Sequence, residues 1–179
     1  MLSKDNFLKE VEFTNSRGLT MKLHAIPPYL AQMAMTAIPQ PSVPTYTVQL
    51  EGGGEEVHQH DEDSISQSGP AEKALWLAYK SDLQDAERAA SDALLNVILI
   101  EGLEVELDLP KMVKRMKMMS IRIPEDPDEM ELMVKKAYVI GGQEDVERIT
   151  TLVMNLSGVS NDTLEQTKDT FQDTMESGS

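Results

Sequence analysis

Residues 70–100 read PAEKALWLAYKSDLQDAERAASDALLNVILI, the longest uninterrupted helical pattern in the chain. Trp76, Tyr79, Leu83, Ala86, Ala90, Ala93, Val97 and Ile100 follow one another at steps of three and four, which assigns them to one face of an α-helix. Lys80, Ser81, Asp85, Arg88 and Asp92 take the opposite face. Pro70 suits the first helical turn, where its missing N–H is no loss, and Gly102 suits the position just past the end. At 1.5 Å per residue such a helix is roughly 45 Å long. Its stripe reads as core, with alanines that admit a close neighbour and with Trp76, Tyr79, Leu83, Val97 and Ile100 expected to be buried.

Working outward towards the N-terminus, residues 10–23 alternate. Val11 and Phe13 share a face, Asn15-Ser16-Arg17-Gly18 offers a turn, and Leu19, Met21 and Leu23 resume the pattern, which predicts a β-hairpin. Pro28 can open a short helix that Pro39 halts, and Pro39, Pro41 and Pro44 favour an extended spacer. TYTVQL at 45–50, the glycines at 52–54 and residues 55–60 predict a second hairpin. The polar, acidic run 61–69 reads as a loop into the long helix.

Beyond Gly102, residues 103–109 alternate strictly and predict a short strand or an extended segment with one buried face, and residues 111–120 predict a short helix. Asp126 with Pro127 and Glu129 is a helix start, with Met130, Met133, Val134, Ala137 and Tyr138 on its apolar face and Gly141-Gly142 as its stop. A further helix is predicted over 143–156 with Val146, Ile149, Val153 and Leu156 aligned. A last one is predicted over about 161–175, with few large apolar groups and expected to be loosely docked. The fold class expected is α+β, a β-hairpin-rich region with one short helix at 1–69 packed on a helical region at 70–179 organised around the long helix.

Composition narrows the function. With 40% hydrophobic residues the 179-residue chain can build a core. Thirty-one acidic against sixteen basic residues give a net charge of −15, which opposes binding to nucleic acid or to an anionic membrane. No cysteine is present, so disulfides, thiolate metal sites and a cysteine nucleophile are excluded. No apolar run approaches the length of a membrane span and the first residues lack an apolar leader, so a soluble, unexported protein is expected.

Catalytic signatures are missing: no GxSxG, HExxH or GxxxxGK[ST] occurs, and no catalytic residue or cofactor is expected. His58 and His60, two apart on a predicted strand and followed by Asp61 and Asp63, face one side and would suit a metal ion. The third histidine, His24, is distant in sequence, so an exposed hairpin without a metal is the expectation. Residues 111–123 are the most informative. They hold Lys111, Lys114, Arg115, Lys117 and Arg122 and no acid, so the segment carries +5 and the rest of the chain −20. Met112, Met116, Met118 and Met119 lie among them, and methionine-rich faces recur where one surface accommodates varied apolar partners. Lys111, Met112, Lys114, Arg115, Met116, Lys117 and Met119 are the candidate partner-binding set. The competing assignment puts Met112 and Met116 in the core and sets the lysines to neutralise neighbouring acidic helices.

The succession GLTMKLHAIPPYLAQMAMTAIPQPSVPTYTV, VHQHDEDS, ALWLAYKSDLQDA, IEGLEVEL and IRIPEDPDEMEL resembles a group of small tailed-bacteriophage proteins placed among tail assembly chaperones. What the resemblance implies is a non-enzymatic protein, working in the host cytoplasm during virion assembly. It would bind aggregation-prone tail components such as the tape-measure protein and the tail tube protein, with homo-oligomers possible. The alternatives are a structural virion component, a neck or minor tail protein, and, last, a metal-dependent enzyme using His58 and His60.

Overall fold

The alternation near the N-terminus folds into strands β1 (Glu10–Thr14) and β2 (Thr20–His24), paired antiparallel with Phe13 opposite Met21 and Val11 opposite Leu23. A computed structural model describes residues 10–159, and the helix expected over 161–175 lies outside them. Phe13, Met21 and Leu23 are buried because a strand's side chains alternate between faces and this face is covered. The chain continues through α1 (Pro28–Thr36), a second antiparallel hairpin of β3 (Thr45–Gln49) and β4 (Glu55–Gln59), α2 (Glu62–Gln67) and α3 (Pro70–Glu101). Then come β5 (Leu103–Glu104), α4 (Leu109–Met118), α5 (Pro127–Val139) and α6 (Gln143–Leu156). The fold is α+β. β5 adds to the outer edge of β2, with Leu23 opposite Leu103, giving the order β1-β2-β5. It is a two-residue strand; the rest of the alternating stretch from Val105 to Asp108 makes no ladder.

Compactness does not break at 69/70. Residues 34–93 form one compact unit, and the described residues up to Met33 together with those from Leu94 onwards form the other. The physical reason is that the apolar face of the first hairpin is buried with α6 and the last turns of α3, far along the chain, and α3 runs through both units.

That passage through two units also corrects the reading of α3. Between Trp76 and Ile100 the apolar steps average about 3.4 residues against 3.6 per helical turn, so the stripe slips by about 120° over its length. Trp76 and Ala86 are buried, and Tyr79, Leu83, Ala90, Ala93 and Val97 are half-buried, but Ile100 is 53% exposed. In the last turns burial passes to Leu94, Leu95, Ile98 and Leu99. The run 61–69, expected to be a loop, holds α2 instead. Asp61 Oδ1 accepts from Ser64 N at 2.7 Å and Ser64 Oγ accepts from Asp61 N at 2.9 Å, a reciprocal cap that starts a helix in a polar stretch whose one large apolar side chain, Ile65, is buried.

Within the larger unit the centre is Leu23, Ile26, Ile98, Leu99, Val134, Val139, Ile149 and Val153, all almost fully buried. Gly102 belongs to this centre rather than merely ending a helix. Its carbonyl accepts from His24 N at 2.8 Å, and a Cβ there would lie 2.9 Å from Ile26 Cγ2 and 3.2 Å from Val153 Cγ1. Lys135, on α5, is buried and donates through Nζ to Leu99 O at 2.9 Å while pairing with Glu131 at 2.9 Å. A cation thus meets the carbonyl end of α3.

A polar clasp ties the first hairpin to the α5–α6 connection. Asn15 Nδ2 donates to Val139 O at 2.6 Å, while its Oδ1 accepts from Arg17 N and Leu19 N and holds the turn. Asp145, 1% exposed, accepts from Ser16 N at 3.0 Å, Ser16 Oγ at 2.7 Å and Gly141 N at 2.9 Å. These bonds, the Ser16 hydroxyl foremost, hold the Asp145 carboxyl below its ordinary value of 3.8 against the opposing effect of burial.

Two expectations follow from this packing. Ile98→Ala should cost about 2–5 kcal/mol, as for a buried aliphatic side chain, whereas Ile100→Ala should change stability by no more than about 0.5 kcal/mol; urea unfolding midpoints compare the two. Asp145→Asn should destabilise by about 1–3 kcal/mol at neutral pH by leaving donors unmatched. Because the folded carboxyl titrates below 3.8, the clasp's contribution is complete above that pH and is lost as pH falls through the lowered value. The gap between wild type and Asp145→Asn should therefore narrow below pH 3.8 in unfolding curves measured across pH.

Candidate partner-binding surface

The methionine-rich segment begins as a helix at Leu109, two residues earlier than expected, and ends at Met118, two residues earlier. Asp108 caps α4 by accepting from Lys111 N at 3.1 Å, and Pro110 sits in the first turn, where it needs no hydrogen-bond acceptor. α4 ends where Ser120 turns to a φ of 60°, and Ile121 N donates back to Met116 O at 3.0 Å, the closing bond of a left-handed helix stop.

This local geometry divides the candidate set. Met116 is 2% exposed and belongs to the core, and Met112 is half-buried with it. Lys111, Lys114, Arg115 and Lys117 are exposed, and so is Met119 at 60%. Met118, which spacing alone did not separate from its neighbours, is the most exposed large apolar side chain among the described residues, at 77%. Pro110, Val113, Lys114, Lys117 and Met118 line a shallow open groove. Their positions fall at i, i+3, i+4, i+7 and i+8, a single helical stripe separate from the buried one.

None of Lys111, Lys114, Arg115, Lys117 and Arg122 forms an ion pair with another described residue. Ammonium groups with no charge partner among the described residues, set beside exposed thioethers, can attract a segment that is both acidic and apolar, the pattern of an amphipathic helix laid into a groove.

His58 and His60, expected to be exposed on the hairpin, are instead half-buried and buried, respectively, against Tyr46. His58 lies on β4 with its ring stacked on Tyr46 at 5.6 Å, and His60, just past the strand, is buried with its ring 4.6 Å from Tyr46 and Nδ1 3.3 Å from Ser64 Oγ. The Asp61 carboxylate is committed to the cap of α2, whose Ser64 amide holds its pKa below the ordinary value. His24 is on β2 between Glu10 and Glu104, with Nε2 3.3 Å from Glu104 Oε2. Among the described residues no group of three or more histidine, aspartate or glutamate side chains is gathered to hold a metal ion. Among them, too, no helix is long and apolar enough to cross a membrane.

Compared with protein families, curated proteins and solved structures, the chain finds no match.

The division of the methionines is open to direct test. Met116→Ala should lower stability by about 2–5 kcal/mol, whereas Met118→Ser and Met119→Ser should each change it by no more than about 0.5 kcal/mol, measured by urea denaturation.

Proposed function

We propose that this protein is a non-enzymatic assembly factor of a tailed bacteriophage, a tail assembly chaperone that holds an apolar, acidic-faced helical segment of a tail component against α4. The tape-measure protein is the client of first choice and the tail tube protein the second. The observation that carries this is the outward stripe of α4, where Met118 stands 77% exposed beside Lys114 and Lys117 in a groove with no charge partner among the described residues. The order of short motifs along the chain supplies the phage context. A net charge of −15 keeps nucleic acid and anionic membranes out of the scheme, and the +5 of residues 111–123 gives a client its docking point.

A second reading, a structural neck or minor tail protein, is favoured by the second hairpin, whose strands pair only with each other among the described residues. The two differ in where the protein ends. A chaperone leaves when the tail tube closes round its client, so mass spectrometry should find it in lysates of infected cells and not in purified particles; a fixed copy number in particles would instead establish the virion component. For the client site, the combined variant Lys114→Glu, Lys117→Glu and Met118→Ser should keep the wild-type unfolding midpoint. It should also reduce co-precipitation of the tape-measure protein about tenfold or more, as expected when steering charge and an apolar anchor are both removed. Undiminished co-precipitation would remove α4 from the mechanism.

A further inference from the structure

The unit formed by residues 34–93 is under-filled. Its buried side chains are Ile65, Trp76, Ala86 and His60, none below 7% exposed, while every side chain buried beyond 2% belongs to the other unit. Its hairpin is the most open element. All of β3 but Tyr46 and all of β4 but His58 are exposed, Val57 is 66% exposed, and neither strand makes a sizeable contact with any described element except the other. Isolated two-stranded ribbons are marginal in water, and an uncovered strand edge is a row of backbone donors and acceptors ready to pair with another chain.

The two edges differ. β4 carries Glu55 and Glu56, charges that guard an edge. β3 is Thr45-Tyr46-Thr47-Val48-Gln49, β-prone and free of charge, lysine and proline. Its pattern is also self-complementary. Two copies laid antiparallel about Thr47 set Tyr46 opposite Val48 and Thr47 opposite Thr47, an aromatic with a β-branched residue and a threonine pair, both favourable cross-strand combinations.

From this we propose that β3 is a homodimer edge, pairing antiparallel with β3 of a second copy across a two-fold axis at Thr47 to make a four-stranded sheet in the order β4-β3-β3-β4. The two-fold arrangement is closed, so it stops at a dimer rather than growing into a fibre. Charge decides which edge is used. At about 4.8 Å between strands, the glutamates of the two β4 strands lie about 14 Å apart, beyond the screening length of about 8 Å at physiological salt. Pairing through β4 in the same way, about Val57, would put all four glutamates on one seam, Glu56 opposite His58 and Glu55 opposite Gln59, whereas the β3 seam carries no charge at all. The dimer edge is independent of the client groove on α4, and either can fail without the other.

The test uses the full chain and a residue that meets its own copy on the axis. Sedimentation equilibrium of the wild type should give twice the chain mass of 19.9 kDa. Thr47→Lys and Thr47→Glu each place like charges face to face and should weaken the dimer about tenfold or more, while Thr47→Ser keeps it. Mixing the Lys and Glu variants should restore a dimer, which two misfolded proteins would not do. A wild type that stays monomeric at high micromolar concentration overturns the proposal, as does a dimer indifferent to both charged variants. Loss of the dimer in both without recovery on mixing overturns the axis at Thr47. Lys114→Glu with Lys117→Glu should leave the mass unchanged, which separates this interface from the client groove.

Discussion

Asp145 is the constraint on which the larger unit depends. A carboxylate buried to 1% exposure is tolerable only if its charge is met, and here Ser16 and the Gly141 amide meet it with hydrogen bonds rather than with a contacting cation. The donors come from opposite ends of the described chain, so satisfying one side chain fixes the turn of the first hairpin against the start of α6. Asn15 repeats the device from the hairpin side by reaching Val139 O. Gly141 is where it is because a Cβ there would run into Ser16 Oγ and Asp145 Oδ2. With the turn pinned, Phe13, Met21 and Leu23 are held facing the helices, and Arg148 lies over the Phe13 ring at 5.1 Å.

The second unit is built on other terms. Where the first is closed by buried polar ties around a dense apolar centre, residues 34–93 rely on a capped short helix, the Glu62–Lys80 pair at 2.9 Å and the packing of Trp76 on Tyr79 at 5.3 Å. Those are surface and near-surface interactions, each contributing little in water. The apolar side chains it leaves outside, Val48, Leu50, Val57, Leu75 and Leu77, suit a region that gains much of its burial from another molecule. One unit, dense and closed by polar ties, carries the α4 stripe, and the other, more open, carries the exposed edge of β3.

Local signals written in adjacent residues were legible without coordinates. The long helix, the two hairpins with their turns, the short helix opened by Pro28, the start of α5 at Asp126 and Pro127 and the extent of α6 all follow from periodicity, caps and breakers acting within a few residues. α2 was missed because a capping aspartate and serine in a polar, acidic stretch look the same in a loop, until Ile65 finds a place to be buried. The candidate surface was half legible. Charge and methionine content marked residues 111–123, but which methionine turns inward depends on what packs beside α4, and so Met116 and Met118, two residues apart, went to opposite environments.

By itself, then, the sequence determined the α+β class, most element boundaries, the charge segregation that sets residues 111–123 apart, and the uncharged, β-prone character of TYTVQ. Those are properties of short windows and sums, which no distant contact can change. Only the tertiary structure decided that the chain divides at 33/34 and 93/94, that burial shifts round α3 so that Ile100 faces solvent, that Gly102 is a packing glycine, and that Asn15 and Asp145 close the hairpin onto α6. The division, the Gly102 packing and the polar ties rest on residues some fifty to more than a hundred positions apart, of which a local pattern carries no record; the slip of about 120° is latent in the spacing of the stripe, but which side chains it exposes depends on what packs beside the last turns of α3.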